Sequence, residues 1–90
     1  MVAKEIIVQG LVQGVGWRYH CLKVANNFNV SGYVKNETDG SVRIVVEGNE
    51  ISVNNFINYL KSSNYPGYVK SWKISNIAYT GKYPDFRVKY

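Results

Sequence analysis

Cysteine is nearly missing from this 90-residue chain: Cys21 stands alone. A lone thiol excludes a disulfide scaffold and fits a reducing compartment. Long apolar runs are missing too, since no uninterrupted stretch approaches the ~20 residues a membrane span needs. The opening Met1-Val2-Ala3-Lys4-Glu5 has no apolar signal region, and Val2 stands where myristoylation requires glycine. Runs of like charge are absent; Lys4, Lys23, Lys35, Lys61, Lys70, Lys73, Lys82 and Lys89 come singly, unlike a nucleic-acid-binding tail. There is no repeat and no linker. These absences predict a soluble cytoplasmic domain with no membrane partner. A chain of this length supports one core, burying roughly 60–65% of its extended surface, so residues 1–90 read as a single domain.

What is present can fold. Hydrophobic residues make up 46% of the chain, including eight tyrosines, three phenylalanines and two tryptophans, which excludes disorder. Eleven Lys and Arg against six acids give a net charge of +5. That balance reads most plainly as a solvated basic surface; as a functional signal it favours an anionic ligand.

The hydropathy pattern predicts a first strand over Lys4–Gln9, then a loop punctuated by Gly10, Gly14 and Gly16. A helix follows over Trp17–Phe28, with Trp17, Cys21, Leu22, Ala25 and Phe28 on one face and Asn29 as a left-handed cap. A second strand, Val30–Lys35, leads into the turn Asn36-Glu37-Thr38-Asp39-Gly40, where Asp-Gly marks a hairpin. The third strand, Ser41–Glu47, turns Val42, Ile44 and Val46 to one inward face. A second helix opens at Asn49, its cap, and carries Val53, Phe56, Ile57 and Leu60. After a turn at Asn64-Tyr65-Pro66-Gly67 comes a fourth strand, Val69–Tyr79, with a bulge near Asn76. Asp85–Tyr90 forms a short closing strand.

The order βαββαβ plus a short C-terminal strand predicts an α+β, ferredoxin-like two-layer sandwich: a mostly antiparallel sheet, with two helices on one face. In the 4-1-3-2 strand order of that topology the first and second strands run the same way, with the third between them. Their C-terminal ends then share one edge of the sheet, about 10 Å apart, a gap that suits a phosphate and a water. At that edge lie Gln13-Gly14-Val15-Gly16-Trp17-Arg18, running into a helix N-terminus, and Asn36. Glycines let backbone N–H groups turn inward and the helix dipole favours an anion. Arg18 offers a planar fork for two phosphate oxygens, and the Asn36 amide both donates and accepts. Taken singly, a glycine loop is usually just a turn and an Asn before a turn is usually there for its backbone. The loop is neither a P-loop nor a dinucleotide fingerprint.

Two stretches carry a resemblance. Gly10-Leu11-Val12-Gln13-Gly14-Val15-Gly16-Trp17-Arg18 resembles the first acylphosphatase signature, G-x-V-Q-G-V-x-F-R. Gly32-Tyr33-Val34-Lys35-Asn36-Glu37-Thr38-Asp39-Gly40-Ser41-Val42 resembles the second, G-[WY]-V-x-N-x-x-D-G-x-V. The likeness continues through Glu47-Gly48 to Phe86, nearly the whole chain. Trp17 stands where the family commonly has Phe, and Asn64-Tyr65-Pro66-Gly67 replaces the usual Gly-Pro loop. The resemblance implies hydrolysis of an acyl phosphate to a carboxylate and inorganic phosphate, without metal or other cofactor. It implies Arg18 and Asn36 as the catalytic pair: Arg18 and the backbone N–H groups of Gln13, Gly14, Val15, Gly16 and Trp17 bind the phosphate, and Asn36 orients the water. Inorganic phosphate is then both product and competitive inhibitor, and the protein is expected to be a monomer.

Other residues read as structural. His20 lies about 200° around the helix from Arg18, away from the phosphate. Asp39 is explained by its turn, and Cys21 by the apolar helix face. An RNA-recognition module of the same topology needs stacking aromatics on its two central strands. Glu5–Gln9 and Ser41–Glu47 carry none, so no nucleic-acid partner is expected. The other rival is a binding domain of the kind that opens hydrogenase maturation proteins and handles carbamoyl phosphate. Those are longer chains with zinc-binding cysteines downstream.

Overall fold

The computed structural model describes residues 1–63 and 67–90, so the turn expected at Asn64-Tyr65-Pro66-Gly67 falls largely outside the described residues. The elements run β1 (Val2–Leu11), α1 (Trp17–Ala25), β2 (Val30–Asn36), β3 (Val42–Gly48), α2 (Glu50–Ser62), β4 (Tyr68–Ile77) and β5 (Phe86–Lys89). They form one five-stranded sheet in the order β4-β1-β3-β2-β5. β3 pairs antiparallel with both β1 and β2, so β1 and β2 run the same way, as the ferredoxin-like topology requires. β5 adds to the outer edge of β2, parallel to it, with Val88 beside Val34.

The core lies between the helices and one sheet face. Alternation on the strands sends Ile6, Val8, Val34, Val42, Ile44 and Val46 there. Helix α2 meets them with Val53, Phe56, Ile57 and Leu60, the stripe its 3.6-residue period predicts. Its cap is the expected one: Ser52 N–H donates to Asn49 Oδ1 at 2.8 Å.

Helix α1 departs from expectation. It ends at Ala25, and its buried face is Trp17, Cys21, Val24 and Ala25. Leu22 and Phe28 are only half-buried; Phe28 lies beyond the helix with its ring 6.0 Å from that of Tyr59. Asn29 is not a left-handed cap, because every described residue with positive φ is a glycine and the helix closes on Asn26 at φ −67°. The N–H groups of Asn27 and Phe28 bond back to Val24 and Ala25, so a tightened last turn satisfies the carbonyls instead. The bulge expected near Asn76 lies elsewhere. Opposite β1, the pairing steps from Gln9–Ser71 to Gly10–Val69, leaving Lys70 as the extra residue.

β4 and β5 occupy opposite edges, so the segment joining them must cross the sheet. It crosses on the face away from the helices. There Glu47 of β3, only 1% exposed, accepts from Thr80 N–H at 2.9 Å, Thr80 Oγ1 at 3.0 Å and Gly81 N–H at 3.0 Å. The Tyr83 ring rests 5.9 Å from Tyr33. β3 is therefore covered on both faces at this end, with Val45 and Glu47 buried, where alternation predicts one inward face.

Removing the Glu47 carboxylate leaves three donors without their acceptor inside the crossing. Glu47→Ala is expected to lower unfolding free energy by about 2–4 kcal/mol. Urea denaturation measures this, and an unchanged midpoint would show the crossing to be held some other way.

Candidate active site

The loop between β1 and α1 is pinned from one side. Gln13 Nε2 donates to Glu37 O at 2.7 Å and to Ser41 O at 2.8 Å, tying the loop to the hairpin that follows β2. That hairpin is closed by Asp39, whose Oδ1 accepts from Ser41 N–H at 2.9 Å and Ser41 Oγ at 2.6 Å. These bonds, with the side chain of Ser41 foremost, hold the Asp39 carboxyl below its ordinary pKa. Asn36, the last residue of β2, is thereby set beside the loop.

The loop then turns through two glycines with left-handed backbone, Gly14 at φ 73° and Gly16 at φ 81°. An added Cβ would meet nothing within 4 Å at either position, so the backbone angle and not crowding is what calls for glycine. Gly16 is the N-cap of α1 and no side chain caps the helix. The first bond there is His20 N–H to Gly16 O at 3.0 Å. The amides of Trp17, Arg18 and Tyr19 precede it and have no helical acceptor, at the positive end of the helix dipole.

A cavity of about 500 Å³ opens on these groups. The β1–α1 loop and α1 line it with residues that include Gly14, Gly16, Arg18 and Leu22, β2 adds Asn36, and the C-terminal segment adds Phe86, Val88 and Tyr90. Arg18 is held in place by β5: its Nη1 donates to Lys89 O at 3.3 Å, and its guanidinium carbon sits 4.8 Å from the centre of the Tyr90 ring. Asn36 Oδ1 is buried and has no hydrogen-bond partner among the described residues. Such an oxygen is costly unless a donor reaches it.

Of the residues singled out in the sequence, Gly14, Gly16, Trp17, Arg18 and Asn36 come together at the cavity, while Gln13 and Val15 do not line it. The side chain of Gln13 is spent on the hairpin, and Val15 packs half-buried against the core. His20 lies outside the cavity, its Nε2 3.1 Å from Ser63 Oγ and its ring edge-on to Trp17. Cys21 is fully buried, and burial pushes its thiol pKa well up. The contribution of β5 was not foreseen. Only the parallel return of that strand beside β2 brings Val88 and Tyr90 to this edge, and strand neighbours carry no local signal. Among the described residues, no group of three His, Cys, Asp or Glu side chains is placed to hold a metal ion, and no helix is long and apolar enough to cross a membrane.

A ferredoxin-like α+β sandwich with a glycine loop and a helix N-terminus at the shared strand edge has close relatives. The acylphosphatase family model matches residues 4–88. An acylphosphatase of Thermotoga maritima is 40% identical over 90 residues, covering 100% of this chain and 99% of that one. The crystal structure of acylphosphatase from Bacillus subtilis superposes with a TM-score of 0.91 at 32% identity, covering 100% of both chains. That of T. kodakarensis HypF gives 0.86 at 36% identity, covering 100% of this chain and 12% of that one. The chain belongs to the acylphosphatase family, and membership implies an enzyme that hydrolyses acyl phosphates.

Burial first, and Lys23 second, lower the pKa of His20 from its ordinary 6.5. The unfolded chain therefore takes up this proton more readily than the folded one. The stability linked to His20 is complete above about pH 6.5, declines as pH falls toward the lower folded value, then levels off. His20→Gln is expected to flatten this part of the pH profile, read as urea midpoints of both proteins at about pH 5 and about pH 7.5. An unchanged difference between the two midpoints would show that His20 carries none of it.

Proposed function

We propose that the cavity binds the phosphoryl group of an acyl phosphate at the N-terminus of α1 and directs water onto its phosphorus. The Arg18 guanidinium takes two phosphoryl oxygens in its planar fork, and amides of the loop from Gln13 to Arg18 take the rest. Asn36 Oδ1 accepts a hydrogen bond from the attacking water and holds it in line. Water oxygen forms the new bond to phosphorus, the phosphorus–acyl oxygen bond breaks, and its electron pair leaves with the carboxylate. The water's proton passes to an oxygen of the substrate's own phosphoryl group.

A carboxylate leaves without a strong acid to protonate it. The transition state spreads charge over the equatorial oxygens, so positioning and electrostatic stabilisation carry the catalysis. Arg18 and the helix dipole supply the positive charge, so we read the reaction as independent of metal or cofactor. The observation that carries this reading is the buried, unpartnered Asn36 Oδ1 in the same cavity as Arg18. We read residues 1–90 as a single domain acting as a cytoplasmic monomer. The absence of aromatics on β1 and β3 is consistent with there being no nucleic-acid partner.

Hydrolysis of benzoyl phosphate is expected to proceed unchanged in the presence of a chelator, with inorganic phosphate inhibiting competitively. Arg18→Lys should lose about a hundredfold or more in kcat/KM, since a point charge cannot replace the fork. Asn36→Ala should lose about a hundredfold in kcat while the inhibition constant of phosphate stays within about threefold. Near-normal turnover of Asn36→Ala would reject its water-positioning role.

A further inference from the structure

Asn36 is held by fewer neighbours than the rest of its strand. β5 pairs with β2 only from Gly32 to Lys35, so among the described residues Asn36 has a strand partner, Val42, on one side alone. A strand end bonded on one side is free to roll about its own axis. Adjacent side chains point to opposite faces, so such a roll swings the Asn36 amide one way and Glu37 the other. Fixing Glu37 therefore fixes the aim of Asn36.

The backbone of Glu37 is tied to its own hairpin and to the glycine loop. Its N–H donates to Ser41 O at 2.9 Å, and its carbonyl accepts from Gln13 Nε2 at 2.7 Å and Gly40 N–H at 3.2 Å. Its side chain is tied separately, by Arg43. Alternation on β3 places Arg43 on the sheet face away from the helices, where it reaches carboxylates of two other elements. Its Nε lies 3.0 Å from Glu37 Oε1, and its Nη1 3.4 Å from Glu5 Oε2. Nε is buried, and its contact with Glu37 is ionic, without the angle of a hydrogen bond. Glu5 belongs to β1, the strand that runs into the glycine loop. The chain Glu5–Arg43–Glu37 thus joins β1, β3 and the hairpin after β2 by side chains alone.

We infer that Arg43, acting through Glu37, is a positioning residue for Asn36: its two ion pairs keep the end of β2 from rolling and so keep the amide aimed at the attacking water. The inference rests on the hydrolase reading above, because only there does the aim of Asn36 set the rate. A planar guanidinium suits the task, since it meets two carboxylates at once where a lysine would follow one. Partly exposed ion pairs add little to stability, so what this pair of contacts supplies is orientation. Orientation matters more to rate than to folding: a misplacement of about 1 Å can cost about a hundredfold.

The test measures kcat and KM for benzoyl phosphate, the inhibition constant of inorganic phosphate and the urea midpoint in Arg43→Met, Glu37→Gln and the double variant. Each single variant is expected to lose about tenfold in kcat, while KM and the phosphate constant stay within about twofold and the midpoint barely moves. The double variant is expected to match the singles within about twofold, because both substitutions break one linkage. Glu37→Gln is isosteric and keeps every backbone bond of Glu37, so it decides alone should Arg43→Met fail to fold. A kcat within about twofold of wild type in the folded single variants would overturn the inference while leaving the hydrolase reading intact. So would a loss of about a hundredfold in the double variant, the product of two independent effects. A fall in kcat matched by losses of phosphate binding and of the urea midpoint would also overturn it, as the mark of a purely structural role. Wild-type protein that hydrolyses no acyl phosphate would instead overturn the hydrolase reading.

Discussion

Inserting β3 antiparallel between β1 and β2 is the constraint from which the rest of the molecule follows. It obliges β1 and β2 to end at the same edge of the sheet, two strand spacings apart. One end continues into a loop and a helix N-terminus, the other into a tight hairpin. Gln13 turns that proximity into a defined geometry. Its two donated bonds cross from the loop to the hairpin backbone immediately after Asn36. A carbonyl pair accepting from a single amide fixes both distance and orientation, which one bond would leave free to rotate. Arg18 and Asn36 are thus held by main-chain structure, and neither depends on the other's side chain for its position.

The fifth strand completes the arrangement at a topological cost. With β4 at one edge and β5 at the other, the chain must cross a sheet face, carrying peptide groups over residues that would otherwise be solvated. Glu47 resolves this by accepting three donors from Thr80 and Gly81. A buried carboxylate is tolerable when its lone pairs are met, and here the crossing segment meets them. The return is felt on the far side of the sheet. β5 lies alongside β2, where it supplies Lys89 O and the Tyr90 ring to Arg18 and Val88 to the cavity.

Features governed by neighbours in the chain were legible in the sequence. Asn49 caps α2 because its side chain reaches an amide three residues on, and Asp39-Gly40 turns because Asp39 bonds Ser41 while Gly40 takes φ 92°. The loop glycines and the positions of Arg18 and Asn36 were legible through two spaced signatures and the topology they imply. Features set by distant partners were not. Glu47 reads as the polar member of an alternating strand until the crossing segment is seen above it. Asn29 is a good residue for a left-handed cap, yet the carbonyls it would serve were already met by Asn27 and Phe28 N–H. The bulge at Lys70 answers a register set by β1, so nothing near Asn76 predicted it.

On the proposed mechanism, Asn36 is where stability and chemistry oppose each other. An amide oxygen buried without a partner costs about 1–3 kcal/mol in the folded chain, and an apolar residue of similar shape would avoid that cost. Its persistence is intelligible if the oxygen is satisfied by the reacting water, because the same low-polarity surroundings that make it costly when bare strengthen the bond it accepts. Orienting a water with a neutral carbonyl also introduces no charge to oppose the guanidinium. A carboxylate in that position would repel the phosphoryl oxygens and compete for Arg18. With a leaving group that departs unaided, aim rather than basicity is what the nucleophile lacks, and in the proposed mechanism a fixed amide provides it. The proposed mechanism accordingly leaves the single histidine, His20, outside the cavity, half-buried against Ser63 and Trp17.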